Sequence, residues 1–293
     1  FFSEATSGRR WRFDLQSHVL VEIDAKGDLL DHAAHPGDAR FEKEPPSTPA
    51  DAEAWFRNGP GMHPCGPGHD PATDPAVARW GSKYFMVSCT VGPFVAVAYA
   101  FGFEPALTLL AENPRVYSRL MELYLDHFRP HFEWAARAGC DGGHMVESWC
   151  SADMISPEAY RNWVAPLHRA SVQMIHACGL KADFYSPGWF LPMLGDVRGQ
   201  GWDMIRIDDQ CRGEDLDIGE ARTLLGPDQC LLGNLSAYSL LNGNWSEIAA
   251  RTRYQIESAG GDRPFILSTG SGLCDGTDPA IVDRWLKYAA SLA

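Results

Sequence analysis

From residue 84 onward, short apolar runs alternate with helical stretches, and polar or glycine residues close each run. No other feature of the chain constrains its fold as strongly. Strands that take turns with helices build a parallel sheet covered by helices, and closed sheets of this kind carry their chemistry where the strands end. Runs at 84–89, 142–147, 181–185, 204–207, 230–232 and 265–268 read as six buried strands. Between them, Pro114 suits the first turn of a helix reaching Ala138, with Leu120, Leu123, Leu125 and Phe128 as its apolar stripe and Gly139 as its cap. Ser156 is an N-cap with Pro157 at the first helical position, and that helix is expected to reach Ala177. Further helices are expected at 190–199, 218–225 and 245–258, and Asp278-Pro279 starts the last.

The expected fold class is therefore α/β, a TIM (β/α)8 barrel over 81–293, preceded by an irregular N-terminal extension. At 293 residues and 45% hydrophobic, the chain suits one large α/β domain. Six strands leave two to find, in the N-terminal part or in residues ahead of Phe1. Residues 1–80 lack the rhythm and read as a cap packed on the barrel. They hold an alternating strand at 19–24, a turn at 25–28 and a Pro/Gly-rich loop at 44–74. The chain opens Phe1-Phe2-Ser3-Glu4, with no Met, basic n-region or apolar h-region.

Charge and cysteine usage narrow the function classes. Lys and Arg number 25 against 38 Asp and Glu, a net charge of −13, with no basic cluster for nucleic acid and no basic amphipathic membrane face. No apolar run approaches the roughly 20 residues that cross a bilayer. The eight Cys are scattered without C-x-x-C spacing, so they read as reduced thiols of a cytoplasmic protein. A small-molecule substrate and a homodimeric assembly are expected.

Several strand ends carry groups that could do chemistry. Glu147, beside Trp149, could bind a hydroxyl or cation or move protons, or it could pair with a loop arginine. Of the adjacent Asp208 and Asp209, one faces the mouth on an extended backbone; Arg206 could pair with either. Tyr185 and Ser186 close another strand before the Pro187-Gly188 turn, and Tyr185 is either a donor and general acid or a half-buried aromatic with a wet hydroxyl. Asn234 could orient a substrate or cap the next helix. The 269–272 turn, with Ser271, could cradle an anion on backbone N–H groups, and Ser271 with Cys274 is a candidate pair. His63, Cys65 and His69 have ligand chemistry but no fourth partner. His144, inside a strand, reads as a core histidine. There is no Walker A, no G-x-G-x-x-G after a strand and no G-x-S-x-G elbow.

Taken in order, several short segments together resemble the uroporphyrinogen decarboxylase superfamily, which includes the cobalamin- and corrinoid-dependent methyltransferases. They are Phe103-Glu104 followed by Glu112-Asn113-Pro114, Ile155-Ser156-Pro157-Glu158-Ala159-Tyr160 with Pro166, Gly233-Asn234-Leu235, and Ile266-Leu267-Ser268-Thr269-Gly270-Ser271-Gly272 with Gly276-Thr277-Asp278-Pro279. The likeness spans roughly Lys83 to Ala290 and implies a TIM barrel with its site at the strand C-termini. Two departures stand out. Where the zinc methyltransferases carry His-x-Cys-Gly, this chain reads Tyr185-Ser186-Pro187-Gly188, and their later Cys falls at or near Ser271. The resemblance therefore implies no bound zinc. The Arg-rich N-terminal signature of the decarboxylases is matched only by Gly8-Arg9-Arg10-Trp11. The 21–27 strand and turn look more like the methyltransferase-like branch, in which more sequence normally comes first.

The resemblance thus implies a methyl- or one-carbon-transferring enzyme, a corrinoid-linked demethylation among its forms, with the corrinoid supplied by a partner protein. Glu147, Tyr185 and Asp208 would be the catalytic groups, and Trp149, Ser186, Asn234 and Ser271 the substrate contacts. A cofactor-free decarboxylase of an acidic, tetrapyrrole-like substrate is the alternative, and a barrel that binds without turnover is the third.

Overall fold

The computed structural model describes residues 2–3, 10–14, 19–23, 44–58, 74–211 and 213–292, the first three stretches as backbone strands. The chain divides into two compact units, Phe1–Glu44 and Pro45–Ala293. In the first, β1 (Phe2–Ser3), β2 (Arg10–Asp14) and β3 (Val19–Ile23) form an antiparallel sheet in that order. The strand expected at 19–24 is thus present; the turn at 25–28 and the His63, Cys65 and His69 loop lie outside the described residues.

The second unit begins at Pro45, well ahead of the boundary expected at residue 81. Helix α1 (Pro49–Asn58) accounts for the difference. Its Ala52 is fully buried, its Trp55 packs 4.6 Å from Phe101 between ring centroids, and its Phe56 meets Tyr124 edge-on. These aromatics sit on helical spacing inside a stretch whose Pro and Gly content reads as loop.

After α2 (Pro75–Trp80) comes a single parallel sheet. Its strands are β4 (Val87–Val91), β5 (Gly142–Val146), β6 (Lys181–Tyr185), β7 (Met204–Arg206), β10 (Cys230–Leu232) and β11 (Phe265–Ile266), hydrogen-bonded in chain order. A small antiparallel hairpin, β8 (Gln210–Cys211) and β9 (Glu214–Asp215), lies between β7 and β10 and has no signature in the sequence. The helices are α3 (Pro93–Phe101), α4 (Phe103–Glu112), α5 (Pro114–Ala138), α6 (Pro157–Ala159), α7 (Ala165–Ala177), α8 (Leu194–Val197), α9 (Ile218–Leu224), α10 (Ala237–Asn242), α11 (Trp245–Ala259) and α12 (Pro279–Ala290).

The sheet's alternation decides which side chains can do chemistry. Met145, Phe184, Ile205 and Leu231 stand in register across four strands and are fully buried. They belong to one core with Phe128 and Phe132 of α5 and Ile175 of α7, so that parity faces the helices. Burying each such side chain contributes about 2 kcal/mol. The opposite parity, Cys89, His144, Asp183 and Met204, then Val146, Tyr185 and Arg206, faces the inside of the winding.

Local chemistry explains the helix ends. Gly139, at φ 90, closes α5 in the left-handed conformation that favours glycine. Between α6 and α7 the chain makes a π turn, Tyr160–Val164. Pro166 has no N–H to return to the preceding turn, and the Ala165 N–H reaches back to the Tyr160 carbonyl instead. Among the described residues no single helix is long and apolar enough to cross a membrane; α3 and α4 pass that test only as a pair, bent by 115°.

Candidate functional site

At the C-terminal end of β6, the Tyr185 hydroxyl donates to Asp208 Oδ1 at 2.5 Å. The Gly188 N–H donates to Asp208 Oδ2 at 2.8 Å. Gly188, at φ 99, lets the Pro187-Gly188 turn point its amide inward. Burial raises the Asp208 carboxyl above its usual value, helped by the charges of Asp209 and Asp153, while the Tyr185 and Gly188 hydrogen bonds pull the other way. Burial also drives the Tyr185 phenol far up, reinforced by its bond to Asp208, so Tyr185 stays protonated and acts as a donor.

Beneath this pair lies a second polar layer on the same face. His144 Nδ1 stands 2.8 Å from Asp183 Oδ2, within ion-pair range but off the hydrogen-bond line. The His144 ring stacks on Tyr185 with planes 18° apart, and the Arg206 guanidinium lies 6.0 Å from the Tyr185 ring centroid. Asp183 Oδ1 and Arg206 Nε are buried without a hydrogen-bond partner. Unpartnered buried groups are costly, and here they gather on the face that also carries Tyr185. The reading of His144 as a core histidine missed this. Strand parity could have found it, since His144 and Asp183 share the face of Tyr185.

Glu147 departs from its expected place. It follows Val146 on the opposite parity, so its side chain turns into the helix layer and is fully buried. Its carboxylate accepts from the Phe94 N–H at 3.2 Å and the Val95 N–H at 3.1 Å, at the start of α3. His168 Nε2 lies 3.1 Å from Oε1. From there the network continues through Tyr160 and Gln200 to the Trp202 indole. Gly92 makes room: a Cβ there would stand 2.0 Å from Glu147 Cδ. Glu147 is thus a buried anion on a helix N-terminus rather than a mouth group.

Two of the expected substrate contacts also face elsewhere. Ser186 is 1% exposed, with its hydroxyl 3.4 Å from Cys150 Sγ. Asn234 uses its amide nitrogen on the Asp208 carbonyl at 3.0 Å and the Leu216 carbonyl at 2.7 Å. It fixes the loop that carries Asp208. Ser271 is exposed, in a turn held close to that loop, because a Cβ on Gly270 would fall 2.7 Å from the Asp209 nitrogen.

Trp149 remains at the rim. Among the described residues it is the one non-glycine with a positive φ, 66°, a strained conformation held by its surroundings. Tyr99 and Phe103 pack edge-on against it, at 5.7 and 5.2 Å between centroids, and both are well exposed. Neither was singled out from the sequence as a site residue, because an aromatic on an apolar helix reads as core.

Residues 14–292 match the family model "Uroporphyrinogen decarboxylase (URO-D)". The chain belongs to the uroporphyrinogen decarboxylase family. The family's fold is the TIM barrel expected above, and six of the parallel strands lie among the described residues. A uroporphyrinogen decarboxylase of Chloroflexus aurantiacus is 30% identical over 221 residues, 70% of this chain and 58% of that protein. A methylated-thiol–coenzyme M methyltransferase of Methanosarcina mazei is 23% identical over 213 residues, 70% of this chain and 53% of that protein. The solved structure of a methyltransferase from Methanosarcina mazei superposes with a TM-score of 0.65 at 16% identity, over 74% of this chain and 61% of that one. The chain spans about half the length of the curated relatives it matches. Members of the family are enzymes, both decarboxylases and methyltransferases.

Proposed function

We propose that this chain serves methyl (one-carbon) transfer, with Asp208 as its acid–base group and Tyr185 as the donor that holds it. The observation that carries the reading is the grip on Asp208 at the strand ends: Tyr185 O–H on one oxygen, Gly188 N–H on the other, and a raised proton affinity from burial. A carboxyl of this kind can give a proton to a leaving heteroatom as its bond to the methyl group breaks, and take it back afterwards. Asn234 keeps its backbone in place.

The charge around the mouth favours methyl transfer over decarboxylation of a polyacid. Asp153, Asp208 and Asp209 gather there, while Arg206 is the basic residue on the described strand ends. A tetrapyrrole with carboxylate arms would meet like charge. Decarboxylation is the second reading, favoured by the unpartnered Arg206 Nε, which a carboxylate could satisfy.

The donor set does not fit zinc. Tyr185 holds its proton, Ser186 is turned toward Cys150, and among the described residues no three His, Cys, Asp or Glu side chains are grouped as a metal requires. The exposed edges of Tyr99, Phe103 and Trp149 offer an aromatic face suited to a flat macrocycle such as a corrinoid brought by a partner protein. When bound, that group would supply the cobalt centre that exchanges the methyl group.

The test is to incubate the protein with methylcobalamin and a panel of thiol and amine acceptors, following the corrin absorbance, with uroporphyrinogen in parallel. The reading expects a spectral change that is lost in Asp208→Asn, with uroporphyrinogen unconsumed. Consumption of uroporphyrinogen with a silent corrin spectrum supports the second reading, and silence in both overturns each.

A further inference from the structure

Helix α4 carries two apolar stripes. Ala106, Leu109 and Leu110 enter the core, while Phe103, Leu107 and Ala111 repeat at one-turn spacing on a second stripe that the core covers only in part. Facing Leu107, Leu110 and Ala111 stand Ile155, Ala159 and Trp163, and the space between them is an apolar groove of about 420 Å³. Trp163 belongs to the π turn Tyr160–Val164, so the wide turn that ends at Pro166 supplies part of this wall.

Ala111, Met154, Ser156, Glu158 and Asn162 of the lining are exposed, so the groove is open along its length and would leave a small ligand largely in water. A helix suits it better, because side chains at three- and four-residue spacing seat between the ridges of a facing helix. The second stripe of α4 begins at Phe103, which packs on Trp149 with Tyr99, so the apolar surface runs without a break from the groove to the rim aromatics. A contiguous exposed surface of this kind marks an interaction site. Charge sets the flanks of the partner. Glu104, Glu112 and Glu158 are exposed, whereas Arg161 is held by Asp196 at 3.0 Å, which leaves Arg115 as the nearby base. The whole chain carries −13, which draws a basic partner in at longer range.

We propose that the groove between α4 and the π turn is the docking site for a partner protein, which lays into it an amphipathic helix with an apolar stripe and Lys or Arg flanks. The proposal goes beyond methyl transfer, and its test needs no turnover. Fluorescence anisotropy of the whole protein would compare three labelled helical peptides: a leucine stripe with lysine flanks, the same stripe with glutamate flanks, and lysine flanks with serine in place of the leucines. Saturable binding of the first is expected, with the other two at least about tenfold weaker. Ala111→Arg, which fills the groove and repels the lysines, and Trp163→Ala should each weaken the first peptide by at least about tenfold. Leu286→Ala, at another exposed apolar residue, should leave it unchanged. No saturable binding, equal binding of the serine peptide, or an affinity indifferent to Ala111→Arg overturns the proposal. If Trp163→Ala fails to fold, the exposed Ala111→Arg decides. Sedimentation of the protein alone tests the rival occupant: a dimer that Ala111→Arg dissociates would mean that a second copy covers this face, which also overturns it.

Discussion

Replacing Glu147 with glutamine separates a buried anion that holds the fold from a catalytic carboxylate. The wild-type carboxylate serves three donors, the Phe94 and Val95 N–H groups and His168 Nε2, with no exposure to water. The amide keeps the shape, but its NH2 end must face one of those donors. One charge-assisted hydrogen bond is lost, about 1.5–3 kcal/mol, and a buried donor is left unpaired. The interaction of the charge with the start of α3 disappears as well, up to about 2 kcal/mol in a buried setting. Together these give about 3–4 kcal/mol. At roughly 2–4 °C per kcal/mol for a chain of this size, the melting temperature should fall by about 10 °C. Thermal unfolding followed by circular dichroism measures it, and the proposed methyl transfer per folded molecule, assayed well below the transition, should stay within a few-fold of wild type. An unchanged melting temperature with a collapsed rate would refute the reasoning and return Glu147 to the mouth.

The other predictions rest on the same geometry. Gly92→Ala drives a methyl group into Glu147 Cδ and should cost at least about 3 kcal/mol in urea unfolding. Asp208→Asn should cut the transfer rate by at least about 100-fold while the protein stays folded. It should also change the pH dependence of stability. The folded Asp208 carboxyl titrates above the ordinary 3.8, so the native state binds more protons than the unfolded chain just above that pH. Wild-type stability falls there as pH rises, and the variant should lose that slope in a series of unfolding curves. Asn234→Ala leaves the Asp208 and Leu216 carbonyls without their donor, which should cost about 2 kcal/mol and lower kcat with KM nearly unchanged.

The repeating layout of the barrel was legible because each strand is bounded by its own local signals. Pro114 and Gly139 bracket α5, and Lys181–Tyr185 and Cys230–Leu232 match the strands read from the sequence. Strand β4 starts later than expected, at Val87, because its pairing with β5 begins there, opposite Gly142, and runs on to Val91. Helix α1 was hidden by the Pro/Gly content around it. At the site, residue type misled where parity would have guided. Glu147 is an acid at a strand end, yet its alternation with Val146 turns it outward, whereas Tyr185 and Asp208 meet through a hydrogen bond. The contacts of Asn234 with Asp208 and Leu216, and the Tyr99–Trp149 edge packing, join residues 18 or more positions apart that share no pattern along the chain.

The central claim, that Asp208 works as an acid under the hand of Tyr185, is tested most directly by the pH–rate profile of methyl transfer in wild type and Tyr185→Phe. The phenol hydrogen bond favours the ionised carboxyl, so losing it raises the Asp208 pKa further. An acid is active below its pKa, and the limb where activity falls with rising pH should therefore move to higher pH in the variant. A limb that stays put, or moves to lower pH, would contradict the account.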